Sequence, residues 1–551
     1  MPAPLTESYW PADGGTPLLD TSVAQLLRDA AAAVPDRLAL IDAVPDPALR
    51  RTWTYAEFLA VAERVARALQ TRCRRGDRVA VYAPNCAEWL IIQHGVSLAG
   101  MVLVPVNPAY RHAELEYVLS QSRAAVVFHA DSYRGFDIAA AVARAKETVG
   151  REFASVSISE FDAFLDSADP ALPLPVIDPG DPVQIQYTSG TTGFPKGALL
   201  HHLGIVNASR FVFQRADATD GVVCINSMPM FHIGGGAVTG IGTLSQRGTY
   251  VVMPGFDAGL QLELTETYRG TTMLLVPTML LAVLDHPDRT RRDLSSVQTV
   301  LSGASFVPAE LVRRTKAELD CGFSILFGQT EMHGVISQTA TTDSPEDQSR
   351  TIGRPLPQAE VRIVDPETDE TAPLGASGEI CVRGYQTMHS YFELPDATAA
   401  AITADGWLHS GDLGAMDERG YLTITGRLKD MIIRGGVNIY PREIEDLLTS
   451  HPKVAEAVVL GVAHPTWGET VNAAIRPVDP DEPPSPEELR AFCRERLAAF
   501  KTPANWFIVD TLPATPTGKI QKFVLRDRID AGELVAAPLS TMDTRPPSMS
   551  N

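Results

Sequence analysis

The chain has 551 residues, 45% of them apolar and 21% charged, which is the composition of a globular protein and excludes a disordered or fibrous one. It is too long for one hydrophobic core, so at least two domains are expected, one of them large. A formal net charge of −20 disfavours nucleic acid and anionic membranes as partners, while a local nest of backbone N–H groups can still hold a small anion.

Met1 through Glu7 lacks a basic stretch and an apolar run, so no signal peptide is expected. From about Pro17 to Val462 amphipathic helical stretches alternate with short apolar runs, the pattern of an α/β protein. Thr54 followed by Glu57 predicts a capping box, ahead of a helix whose apolar residues run from Phe58 to Leu69. Arg78–Tyr82 and Met101–Val106 predict buried strands of a parallel sheet, β-branched and nearly continuous. Further strands are expected at Ala125–Phe128, Thr249–Met253 and Thr299–Leu301. The apolar stretch Met273–Leu284 is interrupted by Pro277 and is too short to cross a bilayer of roughly 30 Å, so no transmembrane segment is expected. Glu360–Val364, Gly378–Arg383 and Tyr421–Thr425 predict a β-rich subdomain. Beyond Arg427 a helix is expected to start at Pro441, strands follow at Val454–Val462 and Val471–Arg476, and Ser485 with Glu488 caps another helix. That is a small α+β domain. The six cysteines are scattered without a C-x-x-C pair, which fits a reducing cytoplasm better than a disulfide framework or a zinc site.

Tyr187–Gly197 reads YTSGTTGFPKG; it follows the strand-like run Val183–Gln186 and is expected to precede a helix. Thr188, Ser189, Thr191 and Thr192 supply hydroxyls, Gly190, Gly193 and Gly197 let the backbone come close, and Lys196 adds an ammonium. Such donors converge on an anion. Pro195 stands where a Walker A loop requires glycine followed by lysine, so that loop is excluded. A surface turn is the plain alternative for a short GTTG; the whole string with its Pro-Lys-Gly ending points to phosphate.

With this segment the sequence resembles the adenylate-forming superfamily of acyl-CoA synthetases, luciferases and nonribosomal peptide adenylation domains, over about Pro17 to Arg526 and with the later motifs in order. The resemblance implies an α/β protein: a large N-terminal domain of doubly wound α/β subdomains and a β-rich subdomain, plus a small mobile α+β C-terminal domain. The expected bounds are residues 1–426, a hinge at 427–430, a lid at 431–537 and a tail at 538–551. It implies ATP, Mg²⁺ and CoA. A carboxylate attacks the α-phosphorus of ATP, and a thiol then displaces AMP. By the same resemblance the Ser189–Lys196 loop holds the β- and γ-phosphates. In FGQTE (Phe327, Gly328, Gln329, Thr330, Glu331) the Phe327 ring stacks on adenine, Thr330 contacts the α-phosphate and Glu331 holds Mg²⁺. Ser302, Gly303 and Ala304 resemble the small-residue adenine loop. Asp412 matches the ribose ligand, Arg427 a ribose or phosphate contact, and Lys429 the hinge. Gly435 and Gly436 match the pantetheine loop, and Lys519 in TPTGK the lysine bridging carboxylate and α-phosphate.

Met228–Gly236 reads MPMFHIGGG. His232 stands where peptide-synthetase adenylation domains place an aspartate for the substrate ammonium, so free amino acids are disfavoured. The resemblance puts His232 near the substrate carboxylate, a packed histidine being the plain alternative. Gly234, Gly235 and Gly236 are expected to clear room for an acyl chain, tight packing being their alternative. Met332 and His333 depart from the family's small hydroxyl residues and are expected to reshape the acyl pocket. Val106–Leu119 resembles fatty acyl-CoA synthetases, and an aliphatic, medium- to long-chain acid is favoured over an aryl acid. Three readings stay open: a CoA ligase, an acyl-AMP ligase loading a carrier protein, and an aryl-CoA ligase or repurposed adenylating enzyme. The expected partners are the acid, ATP and CoA, with a homodimer and a carrier protein left open.

Overall fold

The computed structural model describes residues 4–188, 195–305, 307–435, 437–514 and 520–538. The chain divides into two compact units. One runs up to Arg362 and takes in Cys381–Ser410 and Met416–Thr423; the other comprises Ile363–Ile380, Gly411–Ala415 and the chain from Ile424 on.

The larger unit contains two mainly parallel sheets. In the first, of seven strands, the order is Ser390–Tyr391, Lys196–His201, Pro182–Thr188, Val102–Val106, Arg78–Tyr82, Ala124–His129 and Ala154–Ser157. The last five run parallel, while Lys196–His201 pairs antiparallel with both its neighbours. RVAVY and VLVPV form strands because helices cover both faces of such a sheet, so side chains on either face are apolar and buried. Helix Ala87–Leu98 is buried on every side, which explains why its apolar residues show little periodicity.

The second sheet has nine strands. Six consecutive ones run parallel: Gly322–Phe327, Thr299–Gly303, Thr272–Leu274, Val223–Asn226, Thr249–Val252 and Leu38–Asp42. Arg51–Thr54 closes one edge antiparallel, and Ser337–Gln338 with Arg354–Pro355 closes the other. The Thr54 capping box forms and starts helix Tyr55–Gln70. The β-rich region is a five-stranded sheet of Tyr9–Trp10, Glu360–Val364, Gly378–Arg383, Leu408–Met416 and Leu422–Arg427.

In the smaller unit, Gly468–Pro477 pairs with Val454–His464, with Ile432–Arg434 and, in parallel, with Asn505–Ile508. Helix Pro441–Thr449 starts with Pro441 at its first position, and Ser485 caps Pro486–Arg496 with the reciprocal Glu488 bond. Ile444, Leu448, Val459, Ile475 and Trp506 belong to a core of this unit's own.

One expectation is corrected. The Thr-rich segment does not lead into a helix; it joins two antiparallel strands, with Thr188 paired to Lys196, and the helix begins only at His202. No helix among the described residues is long and apolar enough to cross a membrane.

Candidate active site

Open α/β sheets bind ligands at the carboxyl ends of their strands, where helix N-termini and turns expose backbone donors. Two neighbouring strands of the nine-stranded sheet end in predicted site residues: Thr299–Gly303 in the Ser302–Gly303–Ala304 loop and Gly322–Phe327 in FGQTE. Gly303 is opposite Leu326, and a Cβ on it would come 2.4 Å from the Leu326 carbonyl oxygen. Ala304 has a positive φ of 65° and is exposed. A Cβ on Gly328 would come 2.4 Å from the Gly334 carbonyl oxygen, so glycine is what lets the 328–334 turn close on itself. A 3₁₀ turn, Thr330–Met332, then leaves Thr330 and Glu331 half-buried, with the Phe327 ring also partly exposed. The buried Ser302 hydroxyl and Gln329 Nε2 have no hydrogen-bond partner among the described residues. Buried polar groups are normally satisfied, and a polar ligand at these strand ends would do so.

Lys196 and Glu331 are brought together by a residue the sequence did not single out. Tyr391 is paired with Ala198, and side chains two apart on a strand share a face, so the Lys196 side chain lies diagonally across from Tyr391. The ammonium sits 4.9 Å from the Tyr391 ring centroid, and the Tyr391 hydroxyl donates to Glu331 Oε1 at 2.8 Å. The Met388 N–H donates to the Glu331 carbonyl at 2.8 Å, tying the backbones of the two segments. The base of the Thr-rich loop is fastened too: Tyr117 donates to the Pro195 carbonyl at 3.0 Å, and the Phe392 N–H to the Gly197 carbonyl at 2.7 Å.

Beneath the turn lie two histidines, His333 and His201. His333 Nε2 accepts from the His201 N–H at 3.0 Å, which leaves the proton on Nδ1 to donate to the Gln386 carbonyl at 2.8 Å. His201 Nδ1 accepts from the Gly204 N–H at 3.1 Å, so its Nε2 donates to the Thr387 carbonyl at 3.1 Å. Burial pushes the His333 imidazole well below its ordinary range and His201 down to about 4, which keeps both neutral. His333 is seated over Gly204, where a Cβ would come 2.5 Å from the ring. It braces the turn that carries Glu331.

The MPMFH segment follows strand Val223–Asn226 and is held by buried amides. Asn85 donates to the carbonyls of Met228 and Met253 and accepts from the Met230 N–H, and Gln186 donates to the Phe231 carbonyl at 3.0 Å. Gln186 is one of two buried glutamines in strand Pro182–Thr188, and neither it nor Asn85 nor Tyr391 carried a local signal that set it apart. His232 is half-buried and accepts the Gly234 N–H on Nδ1 at 3.2 Å. The expectation that Gly235 and Gly236 clear an acyl channel is corrected. Their Cβ atoms would come 2.4 Å from the Pro229 and 2.5 Å from the Met230 carbonyl oxygens, so both glycines serve packing.

In the smaller unit, Asp412 is buried on strand Leu408–Met416, and Arg427 Nε is 2.7 Å from Asp412 Oδ1. Lys429 is exposed in the 3₁₀ turn Leu428–Asp430. Gly435 has a φ of 59° and its Cβ would come 3.0 Å from the Trp467 ring, so this turn requires glycine. Ser189, Gly190, Thr191, Thr192, Gly193, Gly436 and Lys519 lie outside the described residues.

Residues 27–392 match the AMP-binding enzyme family, and residues 443–519 match the AMP-binding enzyme C-terminal domain. The chain belongs to the AMP-binding enzyme family. This AMP-binding enzyme is 34% identical to the zebrafish (Danio rerio) mitochondrial medium-chain acyl-CoA ligase ACSF2 over 96% of the chain and 91% of the relative. It is 35% identical to the 3-[(3aS,4S,7aS)-7a-methyl-1,5-dioxo-octahydro-1H-inden-4-yl]propanoyl:CoA ligase of Rhodococcus jostii (strain RHA1), over 88% and 95%. Among solved structures it resembles ATP-bound MatB from Rhodopseudomonas palustris, with a TM-score of 0.83 and 30% identity over 92% of this chain and 99% of that one. The AMP-binding enzyme is an acid–thiol ligase of the AMP-forming, acyl-CoA synthetase kind.

Proposed function

We propose that this enzyme activates an aliphatic, medium- to long-chain carboxylic acid with Mg·ATP and transfers it to CoA, releasing AMP and pyrophosphate. The observation that carries the reading is the grouping of Lys196 and Glu331 about Tyr391, with Thr330 next to Glu331 in the 3₁₀ turn at the strand end. An ammonium, a hydroxyl and one carboxylate are the donors a magnesium triphosphate requires, since Mg²⁺ takes oxygen ligands and keeps several of its waters. Among the described residues the fit is therefore good for Glu331 as the Mg²⁺ ligand and for Lys196 as a phosphate contact, and the Thr-rich loop is proposed to complete the phosphate cradle. Bound there, Mg²⁺ would offset the charge that repels a carboxylate from ATP. The protein's share is to align the two anions and to hold positive charge beside the phosphates.

Ser302–Ala304 and Phe327 are proposed as the adenine contacts, and Asp412 with Arg427 as the ribose contacts. A carboxylate held by a guanidinium at 2.7 Å is fixed in orientation to accept from vicinal hydroxyls. His232 is proposed beside the substrate carboxylate, Lys429 at a hinge spanning 427–430, Gly435 and Gly436 beside pantetheine, and Lys519 as the cation that bridges the acid and the α-phosphate. The cytoplasm is the proposed compartment, because a reducing environment suits six cysteines that are all free thiols.

The chain-length proposal is supported by the medium-chain acid in the ACSF2 name, and no longer by the packed glycines. The test is to incubate the enzyme with ATP, Mg²⁺, CoA and a panel of C4 to C18 and aryl acids. Acyl-CoA and AMP should form together, best with an aliphatic chain of medium or greater length. Turnover confined to aryl acids would overturn the substrate class. Acyl-AMP that CoA fails to consume would overturn CoA as acceptor and direct attention to a carrier protein.

A further inference from the structure

We propose that Tyr391 is a positioning residue that holds the Lys196 ammonium and the Glu331 carboxylate near one another without letting them neutralise each other. The inference rests on the functional reading above and deepens it. A lysine and a glutamate at one site ordinarily form a direct ion pair, which would occupy the carboxylate oxygens needed by a metal and the ammonium needed by a phosphate. Among the described residues Lys196 and Glu331 form no such pair; the phenol stands between them.

The two contacts of Tyr391 differ in kind. Its hydroxyl donates to Glu331 Oε1 at 2.8 Å, which orients the carboxylate while engaging only one of its two oxygens. Its ring takes the Lys196 ammonium on one face, an attraction weaker than a direct ion pair, so the cation is placed yet released readily to a phosphate. The phenol is rigidly mounted. Its residue lies in a short strand paired with Lys196–His201, its N–H donates to Thr398 Oγ1 at 3.0 Å, and the side chain is buried.

The test compares full-length wild type, Tyr391→Phe, Tyr391→Leu, Glu331→Gln and the double variant Tyr391→Phe/Glu331→Gln. Pyrophosphate exchange is measured against Mg²⁺ and against ATP, and thioester formation from supplied acyl-adenylate is the internal control. Tyr391→Phe should raise the half-saturating Mg²⁺ concentration about tenfold, the scale of one hydrogen bond to a charged group, with kcat at saturating Mg²⁺ within about twofold of wild type. Tyr391→Leu should in addition raise KM for ATP by about threefold. The double variant should be no worse than Glu331→Gln alone, because the hydroxyl acts through that carboxylate. All should retain the second half-reaction. A Tyr391→Phe curve that superimposes on wild type while Glu331→Gln is shifted overturns the inference and leaves the functional reading intact. Additive losses in the double variant, or equal losses in both half-reactions with unchanged Mg²⁺ dependence, reduce Tyr391 to a packing residue and overturn it too. An unshifted Glu331→Gln removes the metal role of Glu331 and the inference with it.

Discussion

Lys519 is the residue on which the proposed first half-reaction leans most heavily. Removing one preorganised electrostatic stabiliser typically costs about 10²–10³-fold. Lys519→Ala is therefore expected to lower acid-dependent pyrophosphate exchange by at least about 10²-fold while supplied acyl-adenylate is still converted to thioester. Unimpaired exchange in the purified variant would remove Lys519 from the mechanism. A second residue-scale consequence concerns buried histidines. Burial pushes His94 and His202 down to about 3 and His201 down to about 4. The unfolded chain takes up these protons near pH 6.5 and the native one does not, so the unfolded state binds more protons below that pH. Stability should be level above about pH 7 and fall as the pH drops from 6.5 towards 4, by roughly 2 kcal/mol per such histidine at pH 5. Thermal scans from pH 7.5 to 5 would show it. His94 packs edge-on against Phe58, and replacing it by phenylalanine should flatten that slope; an unchanged slope would mean His94 is not its source.

At the scale of single elements the sequence spoke clearly wherever the reason was local. The Thr54–Glu57 and Ser485–Glu488 boxes, the proline at the start of Pro441–Thr449 and the continuous apolar runs of the parallel strands all formed as expected. Thr54→Ala is expected to cost about 1 kcal/mol, measured as a lowered midpoint of thermal unfolding with unchanged kinetics. The errors came where a tertiary partner decided. The Thr-rich segment was expected to run into a helix, as phosphate loops often do, but Lys196–His201 has Pro182–Thr188 on one side and Ser390–Tyr391 on the other, and their hydrogen bonds hold it extended. Gly235 was expected beside substrate and is instead pressed against the Pro229 carbonyl. Gly235→Ala should destabilise the enzyme by a few kcal/mol, the usual scale of overpacking. A stable variant with altered chain-length preference would restore the channel reading.

For the molecule as a whole, composition and length called for more than one core, and the two compact units meet that demand. The smaller unit has its own core around Trp506, Ile475 and Val459, assembled from strands close in sequence. A fragment spanning residues 431–537 is expected to fold alone, with a cooperative thermal transition and near-ultraviolet dichroism from its tryptophans. A featureless, non-cooperative melt would show that its core depends on the rest of the chain.

By itself the sequence determined the α/β class and the family, and it supplied most of the residues proposed for the nucleotide, because glycines, hydroxyls and charges at strand ends form contiguous strings whose chemistry is local. Only the tertiary structure decided what surrounds them. Tyr391, Asn85 and the paired tautomers of His201 and His333 act across sequence separations that no local pattern encodes. Strand pairing puts a phenol between a lysine and a glutamate that lie 195 and 60 positions away from it along the chain.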